Sequence, residues 1–156
     1  MNLNSSHREK VIYQNDQKGQ LMIGISIFSI IVGGVFYLLL SSLIAWWICL
    51  SVALFILIFF HKLRVRVTQT ELYIGFGIGL IHRNILRSSI VKAEKVKNKL
   101  WYGFGIRLTP HGFLWNIQGL DAIELTYTNG KKFRIGTDDP DNLYKILNAE
   151  TTPTDQ

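Results

Sequence analysis

The sequence is short of several things, and each shortage excludes a class of protein. It has one cysteine, Cys49, in 156 residues, so neither an intrachain disulfide nor a thiol-rich metal site can form. Cys49 reads as a small apolar side chain inside a hydrophobic run, and a chain without disulfides suits a reducing cytoplasm. Charge is missing from Leu21 to Phe60, which contains no Asp, Glu, Lys, Arg or His. That removes the residues a proton path, ion site or transporter would need. Catalytic signatures are missing too. His7, His61, His82 and His111 show no metal-ligand spacing, and His111, between Pro110 and Gly112, reads as a turn residue. Asp138, Asp139 and Asp141 lack the alternating ligands and later Glu of a calcium loop. Asp121 and Glu124 stand too far from other titratable groups for acid–base chemistry, and no nucleophile motif occurs. Neither an enzyme, a cofactor nor a metal is expected.

What is present begins with the uncharged run. Leu21–Leu40 and Leu43–Phe60 are each long enough, at about 1.5 Å per residue, to span a hydrocarbon core of roughly 30 Å. Ser41-Ser42 divides them and is the expected turn; a turn at Gly33-Gly34 would leave the first half too short. Gly24, Gly33 and Gly34 are then close-packing positions between helices. The run is too long for a cleaved signal peptide, whereas a hairpin that re-enters without crossing remains the alternative. Arg8, Lys10 and Lys18 precede the run, Lys62, Arg64 and Arg66 follow it, and the turn carries no charge. This asymmetry predicts a multi-pass protein of the cell membrane with both termini in the cytoplasm. Trp46 and Trp47 fall near the tip, at headgroup level, and Phe59-Phe60-His61 marks the inner interface.

The chain therefore divides into an N-terminal arm (1–20), polar and too short to fold alone, a helical hairpin (21–60, as 21–40 and 43–60), a cytoplasmic domain (61–149) and a flexible tail (150–156). Charge in the domain is bipolar. Nine Lys/Arg face two acids over His61–Lys99, against five and seven over Leu100–Gln156. Such a split fits a domain facing an anionic bilayer better than one that binds nucleic acid.

The domain shows strand periodicity. Lys62–Val67 alternates strictly, with three cations on one face and three aliphatic side chains on the other. Further strands are expected at Glu71–Gly75, Leu80–Ile85, Ile90–Lys97, Gly105–Leu108, Phe113–Ile117, Ala122–Tyr127 and Lys132–Ile135. Asn129-Gly130 between two of them is a strong hairpin signal. In Phe113-Leu114-Trp115, one of the two faces belongs to the core. Gly75-Phe76-Gly77-Ile78-Gly79 resembles a phosphate-binding loop only faintly, because a strand rather than a helix follows it. Asp139 as N-cap and Pro140 at the first position start a closing helix whose Leu143, Ile146 and Leu147 share a face.

The runs Trp101-Tyr102-Gly103-Phe104-Gly105-Ile106-Arg107-Leu108-Thr109-Pro110-His111-Gly112, Gly119-Leu120-Asp121-Ala122-Ile123-Glu124-Leu125 and Phe133-Arg134-Ile135-Gly136-Thr137-Asp138-Asp139-Pro140 resemble bacterial membrane PH-domain proteins, over most of Leu63–Leu147. The resemblance implies a mixed fold. A two-helix transmembrane hairpin would precede a pleckstrin-homology-like antiparallel β-sandwich or barrel of about seven strands, closed by a C-terminal α-helix. It implies a bacterial inner-membrane location and supplies no catalytic residues. The early basic loop through which many PH domains hold phosphoinositides has no clear counterpart.

Lys62, Arg64 and Arg66 leave the second helix directly and are the candidates for anionic headgroup contact; fixing topology would account for them equally. Lys92, Lys95, Lys97 and Lys99, with Trp101, form a second basic and aromatic patch. It suits an anionic headgroup, an acidic segment or single-stranded nucleic acid, or is a solvated edge where lysines prevent strand pairing. The expected function is a non-catalytic, membrane-anchored binding module that contacts the lipid bilayer and a protein, a second copy included, but no nucleic acid. The alternative is an accessory subunit of a larger membrane complex, whose contact surface is the hairpin.

Overall fold

Every second side chain of Lys62–Val67 is aliphatic, so that segment can bury one face only as a strand in a two-layer structure. A computed structural model, which describes residues 10–149, shows how the chain does so. In chain order the elements are β1 (Tyr13–Lys18), α1 (Gln20–Leu40), α2 (Leu43–Phe60), β2 (Lys62–Val67), β3 (Glu71–Phe76), β4 (Ile81–Leu86), β5 (Ile90–Lys97), β6 (Gly105–Thr109), β7 (Gly112–Asn116), β8 (Asp121–Tyr127), β9 (Lys132–Gly136) and α3 (Pro140–Asn148). Two sheets result, of four strands in the order β1-β2-β3-β4 and of five in the order β5-β8-β9-β7-β6. All pairings are antiparallel except β7 with β9. Arg8, His7 and the tail 150–156 lie outside the described residues.

The inner faces share one core. Leu63, Val65 and Val67 from β2 and Leu72, Ile74 and Phe76 from β3 meet Trp115, Ile123, Leu125, Phe133 and Ile135 from the second sheet. Phe76 and Trp115 touch across the layers, their ring centroids 5.4 Å apart. Leu143 and Leu147 of α3 are buried in the same cluster, and the helix packs on β5 and β8. Pro140 stands at its start, but Asp139 makes no side-chain capping bond; its carboxylate accepts instead from Tyr13 and Asn142.

The expected strand count and closure need correction. The described residues contain nine strands in two sheets that do not close on each other, rather than about seven in one sandwich or barrel. Eight of the nine match segments read as strands in the sequence; the one without a counterpart there is β1, from the arm. Its register on β2 runs from Tyr13↔Val67 to Lys18↔Lys62, which turns Tyr13, Asn15 and Gln17 toward the second sheet. These side chains are held by hydrogen bonds, with Tyr13 also packed against the core: Tyr13 donates to Asp139, Asn15 to Asp138 and Gln17 to the Gln118 carbonyl. Burial, then the Asp139 charge, raises the pKa of the Tyr13 hydroxyl, so it stays a neutral donor.

The helices α1 and α2 are long and apolar enough to cross a membrane. Only 11% and 6% of these spans are buried, so neither is a core helix of the β domain. They pack on each other at Gly33, where an added Cβ would lie 2.7 Å from that of Cys49. The Ser29 hydroxyl also donates across the pair to the Cys49 carbonyl at 3.2 Å. Ser41 takes a left-handed conformation (φ 50°) at the turn, and the Ser42 hydroxyl caps α2 by accepting from Ala45 N–H.

On the far side of β8 and β9 from the core, Glu124 and Arg134 pair across the strands at 2.6 Å, their side chains 5% and 9% exposed. Lys132 donates to the other carboxylate oxygen, and Arg134 also reaches Asn98. Burial pushes the Glu124 carboxyl pKa up, but the hydrogen bonds from Lys132 and Arg134 outweigh it and hold the group below its ordinary value. Truncating one partner of such a pair strands the other; Glu124→Leu should cost about 3 kcal/mol, and Glu124→Leu/Arg134→Leu less than the sum of the single changes. Denaturation of the full chain in detergent, followed by tryptophan fluorescence, measures both. Because the folded pKa is depressed, this contribution is present above the unfolded carboxylate pKa and is lost as pH falls through the lowered value.

Candidate functional site

The junction between hairpin and sheet positions the first set of candidates. Helix α2 ends at Phe60 and β2 begins at Lys62, so only His61 intervenes. Gly19 N–H donates to the His61 carbonyl at 2.8 Å, tying the entry of α1 to the exit of α2. Lys18 and Lys62 are therefore direct cross-strand neighbours. The alternation of β2 puts Lys62, Arg64 and Arg66 on the outer face of the four-stranded sheet, away from the core. Arg64 forks onto Asp16 with two bonds, of 2.7 and 2.6 Å. Lys62 approaches the same carboxylate at 3.8 Å. Arg66 donates to the Gln14 side chain and lies 5.9 Å from the Tyr73 ring centroid. On β1 and β2 this face thus sets four cations, Lys18 included, against one carboxylate, with Glu71 on the neighbouring strand β3. The Arg64 hydrogen bond, working against burial, holds the Asp16 pKa below its ordinary value.

The second basic patch is dispersed. Lys92 pairs with Glu94 at 2.7 Å, and Lys95 with Asp141 at 2.7 Å. Lys97 and Lys99 are exposed, and the Lys99 ammonium lies 5.1 Å from the centroid of the exposed Trp101 ring. Four lysines close in sequence are thus split between two ion pairs on β5, the last residue of that strand and the loop beyond it. Of the glycines, Gly33 packs against Cys49 and Trp46, and an added Cβ at Gly34 would lie 3.5 Å from the Trp46 ring. Gly24 has nothing within 4 Å of an added Cβ.

A further site was not singled out by sequence reasoning. Where the two sheets part beside β4, an open cleft of about 490 Å³ is lined by Arg83, Lys131, Lys132, Tyr127, Phe113 and Phe133 among others, and by no acidic residue. Arg83 pairs opposite the core residue Ile74 and so turns inward at the sheet edge, its guanidinium 4.9 Å from the Phe133 ring centroid. The Tyr127 hydroxyl beside it is buried without a hydrogen-bond partner, and burial raises its pKa. The cleft is assembled from β4, the β8–β9 turn and the start of β7, segments far apart in the chain. The one signal available in sequence was Arg83 at an inward position of an alternating strand.

Phe113 is half-exposed in this cleft, while Trp115 is in the core and Leu114 is buried on the opposite face. The Gly77–Leu80 segment is a turn between β3 and β4. His61 contacts the Leu57 carbonyl, His82 stacks on Tyr73 and His111 lies against Tyr102. Among the described residues no group of His, Cys, Asp and Glu could hold a metal ion. Comparison with known proteins finds no matching family model, curated protein or solved structure.

Asp16→Asn should weaken the β1–β2 pairing by about half a kcal/mol, as for other partly exposed ion pairs. Backbone amides of Tyr13–Lys18 should then lose roughly twofold in hydrogen-exchange protection. The folded-state pKa of Asp16 is lowered, so the same protection in the native chain should fall as pH drops through that value.

Proposed function

We propose that the chain is a non-catalytic, membrane-anchored binding module, with α1 and α2 as a transmembrane hairpin and the β domain held against the cytoplasmic leaflet of a bacterial inner membrane. The observation that carries this reading is the junction without a linker. A domain fixed to the helix end by one residue and a backbone hydrogen bond cannot drift from the bilayer. Its outermost charged row, Lys18 and Lys62, would lie at headgroup height. Each basic residue near an anionic surface contributes about 1 kcal/mol. Two lysines directly opposed in a sheet repel each other, so a lipid phosphate between them would relieve strain as well as add attraction. The PH-like assignment of the domain belongs to this proposal; two layers of strands closed by a C-terminal helix support it. The open cleft around Arg83, at the end of the domain away from the hairpin, supplies a second surface, suited to an acidic group on a protein partner.

An accessory subunit whose contact surface is the hairpin would need its close-packing glycines to face other helices. Gly33 and Gly34 are used within the hairpin, which leaves Gly24 alone to support it.

Arg64 holds β1 through Asp16, so a test of lipid contact should spare it. Purified full-length protein in mild detergent should retain anionic lipid, and Lys18→Gln/Lys62→Gln/Arg66→Gln should lose most of it while keeping the native unfolding midpoint. Equal retention by both proteins would defeat the lipid-contact reading. A stoichiometric second protein in the particle, with lipid content unchanged, would favour the accessory subunit.

A further inference from the structure

The end of the β domain next to the hairpin carries two exposed apolar tips, one on each of two separate loops. The first is the turn from Gly77 to Leu80, whose Ile78 and Leu80 are 64% and 67% exposed. Gly77 has φ +54°, and an added Cβ there would overlap the backbone carbonyls of Ile58 and Phe59. The turn is therefore level with Ile58, two residues before α2 ends, or about 3 Å along the helix axis at 1.5 Å per residue. The second tip is the single helical turn Leu100–Tyr102, where Leu100 and Trp101 are 70% and 77% exposed. It leads directly into Phe104–Arg107, which line a groove together with Met22, Ile56 and Phe60. Ile56 lies four residues before the helix end, about 6 Å along its axis.

Single exposed apolar residues are ordinary on any protein. These are grouped in turns, and turns are normally polar. Three of the four turns at the opposite end are: Thr68-Gln69-Thr70, Arg87-Ser88-Ser89 and Thr128-Asn129-Gly130-Lys131 contain no apolar side chain, and the fourth is Pro110-His111. An exposed Trp beside a Lys that can extend toward phosphate is the pairing found at membrane–water interfaces.

We propose that Ile78 and Leu80 on one loop, and Leu100 and Trp101 on the other, insert into the acyl–headgroup boundary of the leaflet that the hairpin enters. The domain is then held down at two points beside its anchor. This inference rests on the membrane-anchored reading and adds an apolar contact that does not depend on lipid charge.

The test uses the unmodified full-length protein in vesicles containing a lipid with a photoactivatable diazirine near its glycerol backbone. Adducts are mapped by mass spectrometry, once with purely zwitterionic lipid and once with anionic lipid added. The expected result is adducts on both tips and on α1 and α2 in both compositions, and none on Leu86 or Val91, which are exposed apolar residues remote from the hairpin end. Adducts on the helices without adducts on either one of the tips would overturn the inference and leave the anchor standing. Tip adducts seen only with anionic lipid would overturn it as well, since charge alone would then be holding the domain down. No adducts on α1 and α2 would defeat the membrane-anchored reading along with it.

Discussion

The arrangement depends on one backbone constraint: the Gly19 N–H to His61 carbonyl bond that makes the two feet of the hairpin neighbours. An antiparallel helix pair delivers its two ends side by side, and an antiparallel strand pair needs its two ends side by side. The chain meets both requirements with a single glycine on one side and a single histidine on the other. An added Cβ at Gly19 would lie 2.7 Å from the Phe60 carbonyl and 2.8 Å from Ile117 Cδ1, which is why a side chain is absent there. From this point the register of β1 on β2 is set. Because strand side chains alternate with period two, a one-residue slip would exchange the core and solvent faces of the strand.

That register explains the charge pattern around the junction. It places Lys18 opposite Lys62 and Asp16 opposite Arg64, so the row nearest the hairpin carries like charges and the next is neutralised. A sheet stabilised only from within would favour the reverse at its first row. The cost at Lys18 and Lys62 is offset if something anionic lies alongside, as the proposed orientation against the leaflet provides. Asp16, with its fork to Arg64, keeps the polar strand β1 attached even where that compensation is missing.

Much of this was legible in sequence, for identifiable reasons. Both apolar helices and the Ser41-Ser42 turn follow from composition, and β2 follows from period, because one of its faces meets solvent and the other the core. Strand β1 was not legible. Its inward positions are Tyr13, Asn15 and Gln17, whose partners lie more than a hundred residues away, and hydrogen-bonded burial leaves no hydrophobic alternation to read. The Arg83 cleft was hidden by the same long range of contacts. The basic patch at Lys92–Lys99 looked continuous because proximity in sequence says nothing about which lysines find carboxylates. Lys95 found Asp141 on α3, a pairing only the tertiary fold could supply.

The two ends of the domain are chemically unlike, and the topology enforces this. Strands β2 and β4 run away from the hairpin and β3 returns toward it. Turns at the hairpin end are therefore β3–β4 and the loop before β6, while β2–β3, β6–β7 and β8–β9 fall at the far end. Gly77 at the first of these is required by the approach of the α2 carbonyls, and that same approach carries the following Ile78 to the level of the apolar helix. At the far end neither α1 nor α2 approaches, and the sheets part to leave Arg83 over aromatic rings, its charge unanswered by any carboxylate in the cleft. Under the proposed anchoring, the apolar end would stay on the bilayer while the positive charge of the Arg83 cleft at the other end faced the aqueous side.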